Sequence, residues 1–148
     1  MVSEKIKISL QSINNELQWE EITRIGVRTI SAKEVSISFN SLCGKFKNYF
    51  FQDNEFINQA KDVGIPLVFK DGDSKINFNF GPMEKDQLKT LLEFQHDTLP
   101  SKFAYIDIDY YSESKAIYSN EMFDGFLDKA LIFAKNNSEE SVTFLGRE

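Results

Sequence analysis

Hydrophobic and polar positions alternate most strictly along Phe103-Ala104-Tyr105-Ile106-Asp107-Ile108-Asp109-Tyr110-Tyr111, where residue type changes at almost every step. As a strand, this run places Ala104, Ile106, Ile108 and Tyr110 on one face and Phe103, Tyr105, Asp107, Asp109 and Tyr111 on the other. The first face reads as core and the second as an acidic stripe framed by aromatics. A second run, Glu20 to Ser31, has Ile25, Val27 and Thr29 on one face and Arg24, Gly26 and Arg28 on the other. Ile6, Ile8 and Leu10 alternate with Lys7 and Ser9 and predict an earlier strand that ends near Ser12–Asn15.

Between and after these runs the pattern changes. Ser31-Ala32-Lys33-Glu34 has the form of a capping box, but Val35, Ile37 and Phe39 alternate with Ser36 and Ser38 and favour a strand over 34–40. Leu42, Phe46, Tyr49 and Phe50 have helical spacing. Asp53 or Asn54 caps a short helix near 53–63, with Phe56, Ile57 and Ala60 inward and Gly64 as its stop. Asp71-Gly72-Asp73-Ser74 joins strands 66–70 and 75–80 as a hairpin, because glycine accepts the positive φ of the turn. Helices follow near 83–95 and, after the His96–Pro100 loop and the opening strand, near 119–135. Asn136-Asn137-Ser138 reads as the stop of the last helix, and Val142, Phe144 and Leu145 as a further edge strand. The pattern predicts one α+β domain over 1–148: an antiparallel sheet including 20–31, 66–70, 75–80 and 103–111, with helices packed mainly on one face.

Composition narrows the functional classes. The 148 residues are 41% hydrophobic, with 14 Phe, enough for a core. A net charge of -6 argues against generic binding to nucleic acid or an anionic membrane, which needs Lys and Arg to neutralise phosphate. Twenty-three acids against 17 bases is also too balanced for an acidic mimic of DNA. Cys43 is the single cysteine and His96 the single histidine, so no intrachain disulfide and no common zinc ligand set can form. The N-terminal residues lack the apolar core of a signal peptide, and no run approaches the roughly 18 apolar residues of a membrane span. These features predict a cytoplasmic protein.

Asp107 and Asp109 are the residues with an obvious chemical use. At i and i+2 of a strand they project side by side, about 7 Å apart at the backbone, and could converge on Mg or Mn for phosphoryl or glycosyl transfer. Third ligands, a phosphate loop and a positioned base are not recognisable. Cross-strand ion pairs from Arg24 and Arg28 to Asp107 and Asp109 use residues already on neighbouring strands and are the favoured reading. Asp71-Gly72-Asp73-Ser74 lacks the rest of an EF-hand ligand set, and no Gly-x-Ser-x-Gly, Gly-x-Gly-x-x-Gly or Walker pattern is present. Tyr105, Tyr110, Tyr111, Tyr118 and Phe103 surround the acidic stripe, some as core and some as candidate binding anchors.

Two of these strands carry a family resemblance. Residues 21–30, with Arg24-Ile25-Gly26-Val27-Arg28-Thr29-Ile30, resemble the R-[IL]-G-[LV]-R-Y-I-N strand of a sporadically distributed bacterial family of unknown function. Leu99 to Tyr111, with Ile-Asp-Ile-Asp, resembles its later L-D-I-D strand, and Phe144-Leu145-Gly146 its Phe-x-Gly-like end. Thr29 replaces the usual Tyr and Ser31 the usual Asn; the likeness spans about 19–146 and matches the C-terminal half of those longer proteins. It implies a related fold and a patchy, mobile-element-like distribution, and it assigns no catalytic residue.

The sequence thus favours a non-enzymatic protein-interaction module, an accessory, immunity or antagonist protein of a bacterial or phage conflict system. Its partner would be another protein, docking on Tyr105, Asp107, Asp109 and Tyr111 without a cofactor, and a homo-oligomer is compatible with it. The alternative is an enzyme with Asp107 and Asp109 as ligands to Mg or Mn.

Overall fold

The computed structural model describes residues 2–17, 19–51, 54–92, 100 and 102–146. In chain order the elements are α1 (Val2–Leu17), β1 (Glu21–Ile22), β2 (Ile25–Glu34), α2 (Phe39–Phe50), α3 (Glu55–Asn58), β3 (Ile65–Asp71), β4 (Ser74–Pro82), α4 (Lys85–Leu92), β5 (Phe103–Ser112), β6 (Ala116–Ile117) and α5 (Asn120–Gly146). The main sheet has the order β2-β5-β4-β3 with every pair antiparallel, and β1 pairs with β6 in a separate small ladder. The fold is α+β, as the patterning predicts.

β5 is one of the two inner strands, with β4, and it joins β2 to the β3–β4 hairpin. It pairs with β2 from Phe103 opposite Glu34 to Ser112 opposite Ile25, and on its other side with β4 from Ala104 opposite Pro82 to Ser112 opposite Ser74. Its apolar face is sealed: Ala104, Ile106, Ile108 and Tyr110 are all at most 1% exposed. Ile76, Phe78 and Phe80 of β4 extend this layer, and Leu42 and Phe46 of α2 and Ala130 and Ala134 of α5 close over it. The small side chains at 130 and 134 let the α5 backbone lie near the sheet. Edge-to-face rings lock the two helices down, Phe46 on Phe80 from α2, and Phe126 on Tyr110 and Phe133 on Phe69 from α5.

The hairpin has the predicted turn, with Gly72 at φ +57°. Tyr110 Oη donates to Asp71 Oδ2 at 2.7 Å, so the turn carboxylate ties the hairpin to the core strand. A second glycine is needed for close approach. A Cβ on Gly81 would lie 2.8 Å from the Val63 carbonyl oxygen, where the 62–64 segment crosses the end of β4.

Several elements differ from the sequence expectations. The predicted strand at 6–10 is part of α1. Ile6, Leu10 and Ile13 also satisfy helical spacing, Ile8 points outward at 59% exposed, and Lys7 Nζ bonds Asp128 of α5 at 3.1 Å. Ser31–Glu34 starts no helix and completes β2, while the strand expected at 34–40 ends at Glu34. Ser38 Oγ instead accepts from the Ser41 N–H and caps α2, so the local serine bond wins over the alternation. The helix expected at 53–63 is only Glu55–Asn58, with Asn54 as its cap. Lys47 Nζ binds the carbonyls of Asn58 and Ala60 at its end, and Phe56 (79% exposed) and Ala60 face outward.

α4 covers much of the helix predicted at 83–95, but residues 93–95 and most of the His96–Pro100 loop lie outside the described residues. Asn136-Asn137-Ser138 does not stop the last helix, and no edge strand forms after it: α5 runs to Gly146. The polar side chains bond back onto the helix, Asn137 Nδ2 to the Phe133 carbonyl and Ser141 Oγ to that of Ser138, and these bonds take the place of a stop.

Because β5 is buried from both neighbours and above, Ile106→Ala should lower unfolding free energy by about 3 kcal/mol in denaturant titration. Ile117→Ala, at a position 83% exposed in β6, should stay within about 0.5 kcal/mol of wild type. Equal losses would contradict this assignment of the core.

Candidate functional site

The face of the sheet opposite α2 and α5 carries the residues singled out by the alternation. Across it, the β2–β5–β4 register aligns Gly26, Tyr111 and Lys75, then Arg28, Asp109 and Asn77, then Ile30, Asp107 and Asn79. Tyr105, Asp107, Asp109 and Tyr111 therefore share one face, as expected. Their environments are unequal.

Asp107 is buried, with its side chain only 7% exposed. Arg28 grips it with two parallel bonds, Nε to Oδ1 at 2.9 Å and Nη2 to Oδ2 at 2.7 Å. Tyr105 Oη donates a third bond to Oδ2 at 2.9 Å. Arg28 stands directly across from Asp109 in the register, yet reaches diagonally to Asp107. The reason is desolvation. A carboxylate removed from water needs compensating donors, whereas half-exposed Asp109 keeps water as a partner. Bidentate geometry adds to the preference, since the planar guanidinium matches the two carboxylate oxygens.

The predicted ion pairing is thus found for Arg28 with Asp107. Arg24 does something else: its guanidinium carbon sits 4.9 Å from the centroid of the Tyr111 ring, a cation–π contact. Gly26, opposite Tyr111, keeps that corner open, because a Cβ there would be 3.2 Å from the Tyr111 Cβ. Among the described residues Asp109 has no ion pair and no side-chain hydrogen bond. Lys75 pairs with Glu113 at 3.4 Å at the edge of the face.

The hydrogen bond to Asp107, opposed in part by burial, pushes the Arg28 guanidinium still further above its ordinary range. Burial, then the bond to Asp107, raises Tyr105, and burial followed by the bond to Asp71 raises Tyr110. Burial foremost, with the charge of Asp62 next, raises the Cys43 thiol, which makes it a poor nucleophile. His96 lies outside the described residues.

For Asp107 and Asp109 to converge on Mg or Mn, a cation would have to displace Arg28 from both oxygens of Asp107. Among the described residues no group of three or more His, Cys, Asp and Glu side chains is arranged to hold a metal, and no helix is long and apolar enough to cross a membrane. No protein-family model, curated protein or solved structure matches the chain.

Asn77 and Asn79 also stand on this polar face, opposite Asp109 and Asp107, as their positions in Ile76-Asn77-Phe78-Asn79-Phe80 indicate. Unanticipated is a cleft on the far side of β2, lined by residues of α1, β1, β2 and α5. Its walls come from segments distant in sequence, and no local motif marks it.

Two measurements test the site. Arg28→Met should cost about 2 kcal/mol, since it strands a buried carboxylate on one remaining donor, whereas Asp109→Asn should cost less than about 0.5. In a double-mutant cycle with Asp107→Asn, the coupling energy should be at least about 1 kcal/mol; additivity would show that the pair is not formed. For pH, tyrosines held above their unfolded value of about 10 stabilise the fold fully below that pH and lose the contribution as pH rises. Stability should therefore decline above about pH 10, and Tyr105→Phe/Tyr110→Phe should decline less steeply in the same titration.

Proposed function

We propose that the chain is a non-enzymatic protein-interaction module whose docking surface is the polar sheet face around Tyr105, Asp107, Asp109 and Tyr111. The observation that carries this reading is the division of labour on that face. Arg28, Asp107 and Tyr105 are bonded to one another, and beside them stand a carboxylate, Asp109, and a guanidinium, Arg24, without ion-pair partners among the described residues. A partner's charged and amide groups would find both signs available. The bonded trio would hold Tyr105 in place, and the contact with Arg24 would hold Tyr111, so little side-chain entropy remains to be lost on binding. Tyr111, half-buried and already stacked, has the character of an aromatic anchor.

Asp107 enters this reading as the group that positions Tyr105 and Arg28, and not as a contact in itself. The cytoplasmic setting rests on the composition and hydropathy patterning, and a role as accessory, immunity or antagonist protein in a bacterial or phage conflict system rests on the family resemblance of the Arg24–Ile30 and Ile106–Asp109 strands together with the size and acidity of the chain. The partner is then expected among the products of neighbouring genes.

Co-expression with those products and measurement of the purified complex by calorimetry test the proposal. Tyr111→Ala should weaken binding about 30-fold and Asp109→Lys at least tenfold, without a change in thermal midpoint. Ile132→Ala, on an exposed position of α5, should leave affinity unchanged. A complex that forms equally well with Tyr111→Ala and Asp109→Lys would contradict docking through this face.

A further inference from the structure

The cleft beside β2 has a volume of about 540 Å3, within the usual range for small-molecule sites. Ile6 and Leu10 of α1, Ile22 of β1, Val27 of β2 and Phe123 of α5 give it apolar walls. Trp19 and Tyr118 form another wall as an edge-to-face pair with centroids 5.5 Å apart. The backbone under that wall is anchored, the Trp19 main-chain N–H donating to Asn14 Oδ1 at 3.0 Å and the Tyr118 main-chain N–H to the Glu20 carbonyl at 3.3 Å, and Tyr118 Oη donates to Asn120 Oδ1 at 2.9 Å.

The charges around the cleft divide in an informative way. Lys7, next to Ile6, pairs with Asp124 and Asp128, next to Phe123 and Leu127. Glu21, next to Ile22, pairs with Lys115 at 3.2 Å. Arg24 lines the cleft and has no carboxylate within ion-pair distance among the described residues. Its guanidinium carbon sits over the Tyr111 ring, and a guanidinium carries five N–H donors, more than one ring contact can occupy. An apolar chamber with one oriented cation complements an apolar body with one anionic head.

We propose that this cleft binds a small amphipathic monocarboxylate, a medium-chain alkanoate, with its methylene chain between α1 and the start of α5 and its carboxylate on Arg24. The apolar walls exclude a strongly polar metabolite, which would leave its hydrogen-bonding groups unpaired. The cation distinguishes an acid from an alcohol with the same chain. The site shares Arg24 with the protein-docking surface, but its apolar walls lie apart from that surface and no partner is needed to complete it.

Trp19 is the only tryptophan of the chain and stands in the wall, so its emission reports occupancy. The full chain is titrated with octanoate, decanoate and decanol below their micelle or solubility limits, with calorimetry alongside in case emission does not change. Octanoate and decanoate should saturate one site, decanoate roughly 15-fold more tightly for its two extra methylenes. Arg24→Gln should weaken decanoate about tenfold, leave decanol unchanged and retain the wild-type circular dichroism spectrum. Absence of saturable binding by both methods, equal affinity for decanol and decanoate in the wild type, or undiminished decanoate affinity in Arg24→Gln would each overturn the proposal.

Discussion

Keeping a charged carboxylate buried at the middle of a sheet is the constraint on which the polar half of this structure depends. Asp107 is placed there by the strict alternation of β5, whose other face is committed to the core by Ala104, Ile106, Ile108 and Tyr110. A one-residue slip would exchange the two faces, so the register of β5 and the placement of Asp107 are fixed together. Arg28 and Tyr105 then supply the donors that Asp107 requires. The pair defines which residues of the face are bound within the protein and which remain available.

The same strand determines the layering. With α2 and α5 packed on the apolar side, the polar side presents Tyr105, Tyr111, Asp109 and Arg28 along one surface. Arg24 lies where this surface meets the cleft beside β2, stacked on Tyr111 and lining the apolar chamber. Ligand in the cleft and a partner on the face would therefore both contact the Arg24–Tyr111 pair, although each site is complete without the other.

The elements read correctly from sequence are those in which a short-range signal agrees with burial. β5 and residues 25–31 of β2 show period-two alternation, although the strand predicted over 20–31 breaks between Ile22 and Ile25 and β2 runs on to Glu34; the Asp-Gly turn demands a positive φ at Gly72, and Phe126, Ala130 and Ala134 recur at helical spacing. The misreadings occur where two local signals compete. Ile6, Ile8 and Leu10 fit a strand, but 6, 10 and 13 also fit a helix, and only the packing of α1 on α5 separates them. Ser38 and Asn137 are ambiguous in a similar way: a small polar side chain can begin a helix, end one or bond within it, depending on its neighbours. Arg28 was recognisable as a partner for the acidic stripe, but the choice of Asp107 over the residue directly across required knowledge of which carboxylate is buried. The cleft was hidden because its walls lie more than 100 residues apart, from Ile6 to Phe123.

Carboxyl labelling with a carbodiimide and an amine, read by fragment mass spectrometry, tests most directly whether this polar face is organised around Asp107. The two acids lie in one tryptic peptide, 103–115, so each serves as the internal reference for the other. The native protein should modify at Asp109 much faster than at Asp107, because Arg28 and Tyr105 cover the latter, and the difference should vanish in denaturant. Equal labelling of Asp107 and Asp109 in the native protein would contradict the account.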